Sequence, residues 1–483
     1  MDYDYEDLAD EYDVEDYGIE PSKSEYIHEG YSENISLRPP LYELFYHCLT
    51  PTVGEAAAHL GKVLFYCVVF RLVCDYGPKR LKNLTSIGCG IMVTYHFFGP
   101  LTWYLAANAT ISYLVLQVST VVLNRGRGVL TAVTSVVFLF LCELFIVASQ
   151  DWHTIRGAQM LISMKVISIG FDIDSNHLLS VPMPMDFFGY IFCVGTIIFG
   201  PWTRFSDYAM IGHNKLGIIH NILVTSWKSA VALFFLSIST CWSFWIAPNG
   251  SYKWSVAYRD ALSFRSSHYF VSKMAEASSL TCNILQSKVK GAKKDDKKYE
   301  NDSVSAEPIV ITRPWSIELP RSLVEVVVHW NIPMHHWLRT YVFKNTRSLG
   351  TLPAILSTYA ASAMLHGLNF QLAAVLFSLG IYTYTEHIFR TKLAFMINGC
   401  VGPRKCSDCT HALKESHFVV MIINFCFSLI VMFHLAYLGF TFNSAGSMEE
   451  EGYSMYHTLE KWRWLNFSSH WVVLFTFILA SVM

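Results

Sequence analysis

The sequence predicts an all-α, polytopic transmembrane helical bundle of about eight to eleven crossings, with re-entrant or interfacial helices besides. Three observations predict it. Hydrophobic residues make up 52% of the 483 and charged residues only 15%, where soluble domains carry roughly 25% charged. The mean hydropathy of +0.32 is too high to hide within one soluble core. Long apolar stretches recur with polar joints, near 60–75, 85–123, 128–149, 186–200, 229–247, 351–387, 417–442 and 468–482. Spans of this kind must be helical, because a helix satisfies its own backbone polar groups in lipid.

The first twenty residues hold ten acids and no Lys or Arg. This is no signal peptide, which needs a basic start and an apolar core. Residues 1–50 are expected as a disordered acidic tail on the lumenal side, followed by one membrane domain over 51–483. The basic loop after the first stretch, with Lys79, Arg80 and Lys82, belongs in the cytosol by the positive-inside rule. The stretches 85–123 and 351–387 are each long enough for two crossings, and Gly99-Pro100 offers the first a natural break. By contrast, 158–171 and 256–280 are too short or polar to be assured spans, and are expected as re-entrant or interfacial pieces. The loop 287–302 has six lysines and is expected in the cytosol. Seven of the twelve cysteines, Cys241 among them, fall in apolar stretches, so they read as small core residues and not as a disulfide framework. A net charge of −2 gives no field that would draw nucleic acid.

His366 lies in SAMLHGL, inside an apolar stretch. An ionisable group there is costly and marks a functional site unless it only bonds a neighbouring helix. On a helix through 352–368, Thr358 and Ser362 share its face, a polar stripe that fits a lined cavity or a helix–helix seam. Asn331 precedes Ile332-Pro333 in HWNIPMHHW, where the break frees backbone groups. His329, His335 and His336 lie nearby, but the spacing matches no zinc-finger or HExxH pattern, so no catalytic metal is expected. Cys400, Cys406, Cys409 and His411 look more like a zinc set; yet one C-x-x-C is only half of the paired motif, and free thiols or lipid attachment fit as well or better. No GxSxG, P-loop or GxGxxG setting appears, and no internal repeat of the kind that transporters carry.

Six segments together resemble the membrane-bound O-acyltransferases: RGAQMLISMK (156–165), GPWTRFSDY (200–208), DALSFRSSHYF (260–270), LPRSLVEVVVHWNIPMHHWLRTYVFK (319–344), STYAASAMLHG (357–367) and FHLAYLG (433–439). Within that family the wording is most similar to the branch that acylates Wnt proteins. The resemblance implies a multi-pass enzyme of the endoplasmic reticulum, built around a tunnel through the membrane. It also implies transfer of a palmitoleoyl chain from palmitoleoyl-CoA to a Wnt serine, with no permanently bound cofactor. It places the family's essential histidine on His366 and its paired Asn or Asp position on Asn331. Trp330 and Ser362 are further candidates for touching substrate.

The residue types suit this chemistry. A neutral imidazole can take the proton that makes a serine hydroxyl nucleophilic, typically worth about 10²–10⁴-fold. An amide donor can hold the oxyanion, for roughly 2.7–4 kcal/mol; Asn331 could instead orient the imidazole. Arg265 either holds coenzyme A phosphates or pairs with one of the chain's own acids, such as Asp260. Basic residues flank 351–387 on both sides (Arg339, Lys344 and Arg347 before it; Arg390, Lys392, Arg404 and Lys405 after it), so both ends belong in the cytosol. The turn near Gly367, Asn369 and Gln371 then faces the lumen with His366, while coenzyme A enters from the cytosol. Membrane lipid surrounds the whole. The rival readings are a small-lipid acceptor, or a transporter in which His366 relays protons.

Overall fold

The computed structural model describes residues 39–483, except Lys79, Asn124, 213–216, 249–251, 289–304, 407–409 and 443–453. The acidic tail through residue 38, nearly all of the lysine-rich loop and Cys409 lie outside the described residues. In order, the main helices are α1 (Thr50–Tyr76), α2 (Leu81–Phe98), α3 (Thr102–Val122), α4 (Arg127–Leu141), α5 (Ser149–Asp174), α6 (Pro184–Ile191), α7 (Ile218–Ser237) and α8 (Lys253–Thr281). A two-stranded antiparallel ribbon, β1 (Leu285–Lys288) and β2 (Ser305–Pro308), brackets the lysine-rich segment. Then come α9 (Leu323–Trp330), α10 (Ile332–Leu338), α11 (Thr351–Leu365), α12 (Phe370–Met396), α13 (Phe418–Gly439), α14 (Met455–Trp464) and α15 (Ser468–Val482). Helix already begins at Leu41, inside the stretch expected as tail.

Six helical segments are long and apolar enough to cross a membrane: Leu41–Tyr76, Leu81–Val122, Arg127–Ile146, Ile218–Ile246, Phe370–Met396 and Phe418–Phe442. The pair α14 and α15, bent by 76°, makes a seventh. Leu81–Val122 breaks into a 3₁₀ turn at Gly99–Leu101, where the proline signal stood. Its 42 residues amount to about 63 Å at 1.5 Å per residue, twice a hydrocarbon core. With that segment counted twice, the long apolar helices of the described residues reach only the lower bound of the eight to eleven crossings expected. One reason is that 186–200 is not a span: α6 stops at Ile191 and the chain turns, wholly inside the protein. Another is that α11 has only 15 residues.

The two segments judged too polar are continuous helices of 26 and 29 residues, α5 and α8. From Ala158 to Gly170 nearly every residue of α5 is buried, including Lys165, whose ammonium donates to the carbonyls of Tyr190 and Ile191 and to Thr196 Oγ1. Protein encloses them, so they need no lipid-facing apolarity. α8 lies antiparallel along α7: Asn221 donates to the Leu280 carbonyl at one end, and Ser239 donates to the Ser263 carbonyl toward the other.

The expectation of cysteines serving only as small core residues is corrected at one pair. Cys48 and Cys241 form a disulfide across 193 residues of sequence. It ties the start of α1 to the end of α7, and the β ribbon that follows Thr281 lies at the opposite end of the α7–α8 hairpin. Disulfides persist in oxidising compartments, so this end of the hairpin is the one suited to an oxidising side of a membrane.

Candidate active site

His366 does not sit within a helix running to 368; α11 ends at Leu365 and His366 is its C-cap. Gly367 follows with φ of +88°, a conformation that glycine adopts freely. The Glu143 carboxylate, from the π-helical turn after α4, accepts the Leu368 N–H at 2.8 Å. Asn369 then caps α12 by accepting from the Leu372 N–H at 2.9 Å. The turn is thus fixed on both sides of the histidine. Ser362 is buried one turn earlier, while Thr358 spends its hydroxyl on the Ala354 carbonyl. The His366 ring is half-buried, and Arg156 of α5 is close enough to interact with it electrostatically. No hydrogen bond from the ring to another described residue is present.

Asn331 links α9 to α10. SLVE at 322–325 starts α9: Ser322 Oγ accepts the Glu325 N–H at 3.2 Å and the Glu325 carboxylate accepts the Arg321 N–H at 2.9 Å, close to a capping box. Glu386 adds a carboxylate at the same helix start, accepting from Leu323 N–H at 2.7 Å. At the far end Asn331 Oδ1 accepts the Met334 N–H at 3.1 Å and so caps α10. That commits the oxygen. The Nδ2 group donates to no other described residue and remains available to a substrate. α11 packs against α10 and the turn that follows it, so the elements bearing His366 and Asn331 are neighbours.

Trp330 forms one wall beside this position. Its ring stacks on His268 at 4.3 Å between centroids, and His268 Nε2 donates to the Trp330 carbonyl at 2.8 Å. Phe264 stacks next to Trp330 and on Phe442. His268 and Glu143 were both missed in the sequence. The signals were a histidine on a polar helix and a lone carboxylate in an apolar run.

Arg265 is corrected. Its guanidinium makes a two-pronged bond to Glu318, at 2.8 and 3.0 Å, and it is 2% exposed. Asp260, suggested as its partner, pairs with Arg259 instead. Arg265 therefore answers a charge within the fold, the second of the two roles the sequence left open, through Glu318 and not Asp260. Other histidines are also engaged: His329 with the Glu325 carbonyl, His336 with Arg204 at 2.6 Å and His434 with Ser469 at 2.6 Å. A cavity of about 80 Å³ beside Ile332 and Pro333 is lined by Arg204, Gln286 and His336. A larger one of about 260 Å³ lies among α12, α13 and α15, next to His434 and not His366. The histidines near Asn331 do not gather into a metal centre; among the described residues, the grouping with ligand spacing is Cys400, Cys406 and His411.

The family model of the membrane-bound O-acyltransferases matches residues 99–400. The protein-serine O-palmitoleoyltransferase porcupine of Homo sapiens is 36% identical over 453 residues, 89% of this chain and 95% of its own length. The porcupine of Anopheles gambiae is 32% identical over 470 residues, 91% of this chain and 94% of its own. Lysophospholipid acyltransferase 1 of Arabidopsis thaliana is 24% identical over 363 residues, 66% of this chain and 76% of its own. With its apolar helices long enough to cross a membrane, a family model matched over more than half its length and relatives alike over about nine-tenths of it, the chain belongs to the membrane-bound O-acyltransferase family.

Proposed function

We propose that the chain is a protein-serine O-palmitoleoyltransferase of the endoplasmic reticulum, moving palmitoleate from palmitoleoyl-CoA to a serine of a Wnt protein. The observation that carries this is its likeness, over about nine-tenths of its length, to relatives that bear that activity in their names. In the mechanism that the site supports, His366 Nε2 or Nδ1 takes the serine proton as the hydroxyl attacks the thioester carbon. Asn331 Nδ2 donates to the carbonyl oxygen as it becomes an oxyanion. Collapse breaks the C–S bond, and the imidazolium returns its proton to the leaving thiolate of coenzyme A. The α10 cap commits Asn331 Oδ1 and leaves Nδ2 as the group that donates.

Coenzyme A is placed on the side of the β ribbon. The small cavity there combines Arg204, suited to phosphate, with Ile332 and Pro333 next to Asn331. The turn at His366 lies toward the other end. Gln371 donates to the Thr441 carbonyl there, and Gly439 packs on Ala261 near the start of α8. A tunnel joining these two mouths would let a secreted acceptor and a cytosolic donor meet at His366. The test is acyl transfer by the purified full-length chain to a serine peptide and to lysophospholipid, with a panel of acyl-CoA lengths. Palmitoleoyl transfer to the peptide supports the proposal. Transfer to lysophospholipid alone moves the chain to the lipid-acylating branch, the second reading that the plant relative supports.

A further inference from the structure

Between α12 and α13 a backbone clasp joins Asn398–Cys400 to Leu413. Cys400 N–H donates to the Leu413 carbonyl at 2.9 Å and Leu413 N–H to the Asn398 carbonyl at 3.0 Å, with Gly399 and Leu413 in a parallel bridge. Inside this clasp Cys400, Cys406 and His411 each aim one ligand atom at the others, all within 4.8 Å. Cys400 Sγ and His411 Nδ1 are 3.6 Å apart. A tetrahedral zinc with Zn–S of about 2.3 Å and Zn–N of about 2.0–2.1 Å holds sulfur and nitrogen about 3.5–3.6 Å apart. The separation already fits the ion.

We propose that Cys400, Cys406 and His411 form a structural zinc site. Cys400 is 1% exposed, so a bulky lipid cannot reach it. The two cysteines are not joined in a disulfide, although the fold closes one elsewhere at Cys48–Cys241. The local apolar core is small, with Ala394, Cys400, Val401 and Val420 at its centre. Segments with so little to bury are held by metals or disulfides in other proteins. The three described ligands leave one position of a tetrahedral zinc, which a water can fill; Cys409, two residues before His411, lies outside the described residues.

What the metal would hold is visible in the hydrogen bonds that leave this loop. Arg321 donates to the Cys400 and Gly402 carbonyls at 2.7 and 3.0 Å, and Ser322 Oγ to the Pro403 carbonyl at 2.8 Å. Arg390, fully buried, donates to the Val401 and Gly402 carbonyls at 2.8 and 3.2 Å and also to the Arg321 carbonyl. Arg321 and Ser322 begin α9, the helix that ends at Trp330 and Asn331. The zinc site therefore anchors the loop against which the Asn331 helix is set. This is a supporting role, apart from the acyl transfer itself.

The test is elemental analysis of the full-length chain, purified in detergent through a tag that contains no histidine. The expected result is about one zinc per chain in the wild type and a loss of at least about fivefold in the Cys406→Ser, His411→Ala double variant, as befits a site of three ligands. Wild-type protein with little zinc, or equal zinc in both, would overturn the proposal. Should the variant fail to fold, cobalt exchange into wild-type protein decides: a thiolate-to-cobalt charge-transfer band supports the site, and its absence from cobalt-loaded protein rejects it. A lipid or a disulfide found by mass on Cys406 also rejects it. None of these readouts depends on acyl transfer.

Discussion

Glu143 Oε2 accepts the Leu368 N–H at 2.8 Å, so a carboxylate from one helix holds the turn two residues beyond His366 on another. A Cβ built on Gly367 would lie 2.7 Å from that same carboxylate oxygen, at a φ that side chains rarely adopt. Gly367→Ala is expected to lower turnover at least tenfold, by displacing either His366 or Glu143. Glu143→Ala should also lower turnover, while Glu143→Gln, which keeps an acceptor oxygen, should recover most of it. Measured kcat and acyl-CoA affinity for the three variants check this. Affinity falling with unchanged kcat would move the turn from the chemistry to substrate binding.

His366→Ala is expected to abolish acyl transfer while the protein still accumulates in the membrane, since the ring makes no described bond that the fold would miss. Residual transfer near a third of wild type would exclude a general base worth about 10²–10⁴-fold.

Asn331 separates two roles in one side chain. Asn331→Asp keeps an oxygen for the Met334 N–H but removes the Nδ2 donor. Stability should be held while kcat falls by about 10²–10³-fold, the worth of an oxyanion donor. Asn331→Ala should lose the cap as well, at roughly 1 kcal/mol of stability. Thermal unfolding and single-turnover rates together distinguish the two; a fully active Asp variant would remove the oxyanion assignment.

Arg265→Ala leaves Glu318, 23% exposed and still accepting from the Tyr269 hydroxyl, without its guanidinium, so the cost should fall below the about 3–5 kcal/mol of a fully buried pair. The expected outcome is a less stable protein with unchanged acyl-CoA affinity. Arg204→Ala is the contrasting variant: it should weaken acyl-CoA binding with little change in stability. Direct binding measurements on both decide which arginine meets the phosphates.

Cysteine labelling addresses sidedness. An impermeant thiol reagent applied to sealed microsomes should reach Asn369→Cys only from the lumen and Ser287→Cys only from the cytosol. The Cys48–Cys241 end of the α7–α8 hairpin agrees with that assignment, because thiols oxidise readily in the lumen and not in the cytosol. Labelling of both from the cytosol would make His366 a residue of cytosolic lipid chemistry.

Where chemistry is local, the sequence was easy to read. SLVE starts α9, Asn331-Ile332-Pro333 starts α10 and Asn369 starts α12, each by a cap that acts within three residues. Apolar runs likewise marked most of the long helices. Where a partner is distant, the text of the chain gave little. Cys241 meets a cysteine 193 residues away, and Arg265 meets a glutamate beyond the lysine-rich loop. Arg390 looked like a basic flank in solvent, yet it is fully buried and clamps the loop after α12. Polar helices such as α5 read as poor spans because hydropathy measures contact with lipid, and they touch protein instead. All three proposed zinc ligands were in view, but only the folded clasp brings Cys400 and His411 to ligand spacing.

α8 carries Lys253, Arg259, Asp260, Arg265, Lys273 and Glu276, yet it runs the length of a membrane-crossing neighbour. A charge at the centre of a lone helix adds about 2.5–3.5 kcal/mol to its transfer from the translocon into lipid. By itself α8 would be refused. Arg259 pairs with Asp260 and Lys273 with Glu276 inside α8, Lys228 of α7 adds to Glu276, and Arg265 is matched only by Glu318 from beyond the lysine-rich loop. α8 is therefore suited to the bilayer only inside a bundle that supplies both partners, α7 on one side and the Glu318 segment on the other. His268 enters with α8, and its stack on Trp330 closes only after the chain beyond the lysine-rich loop has returned to the bundle.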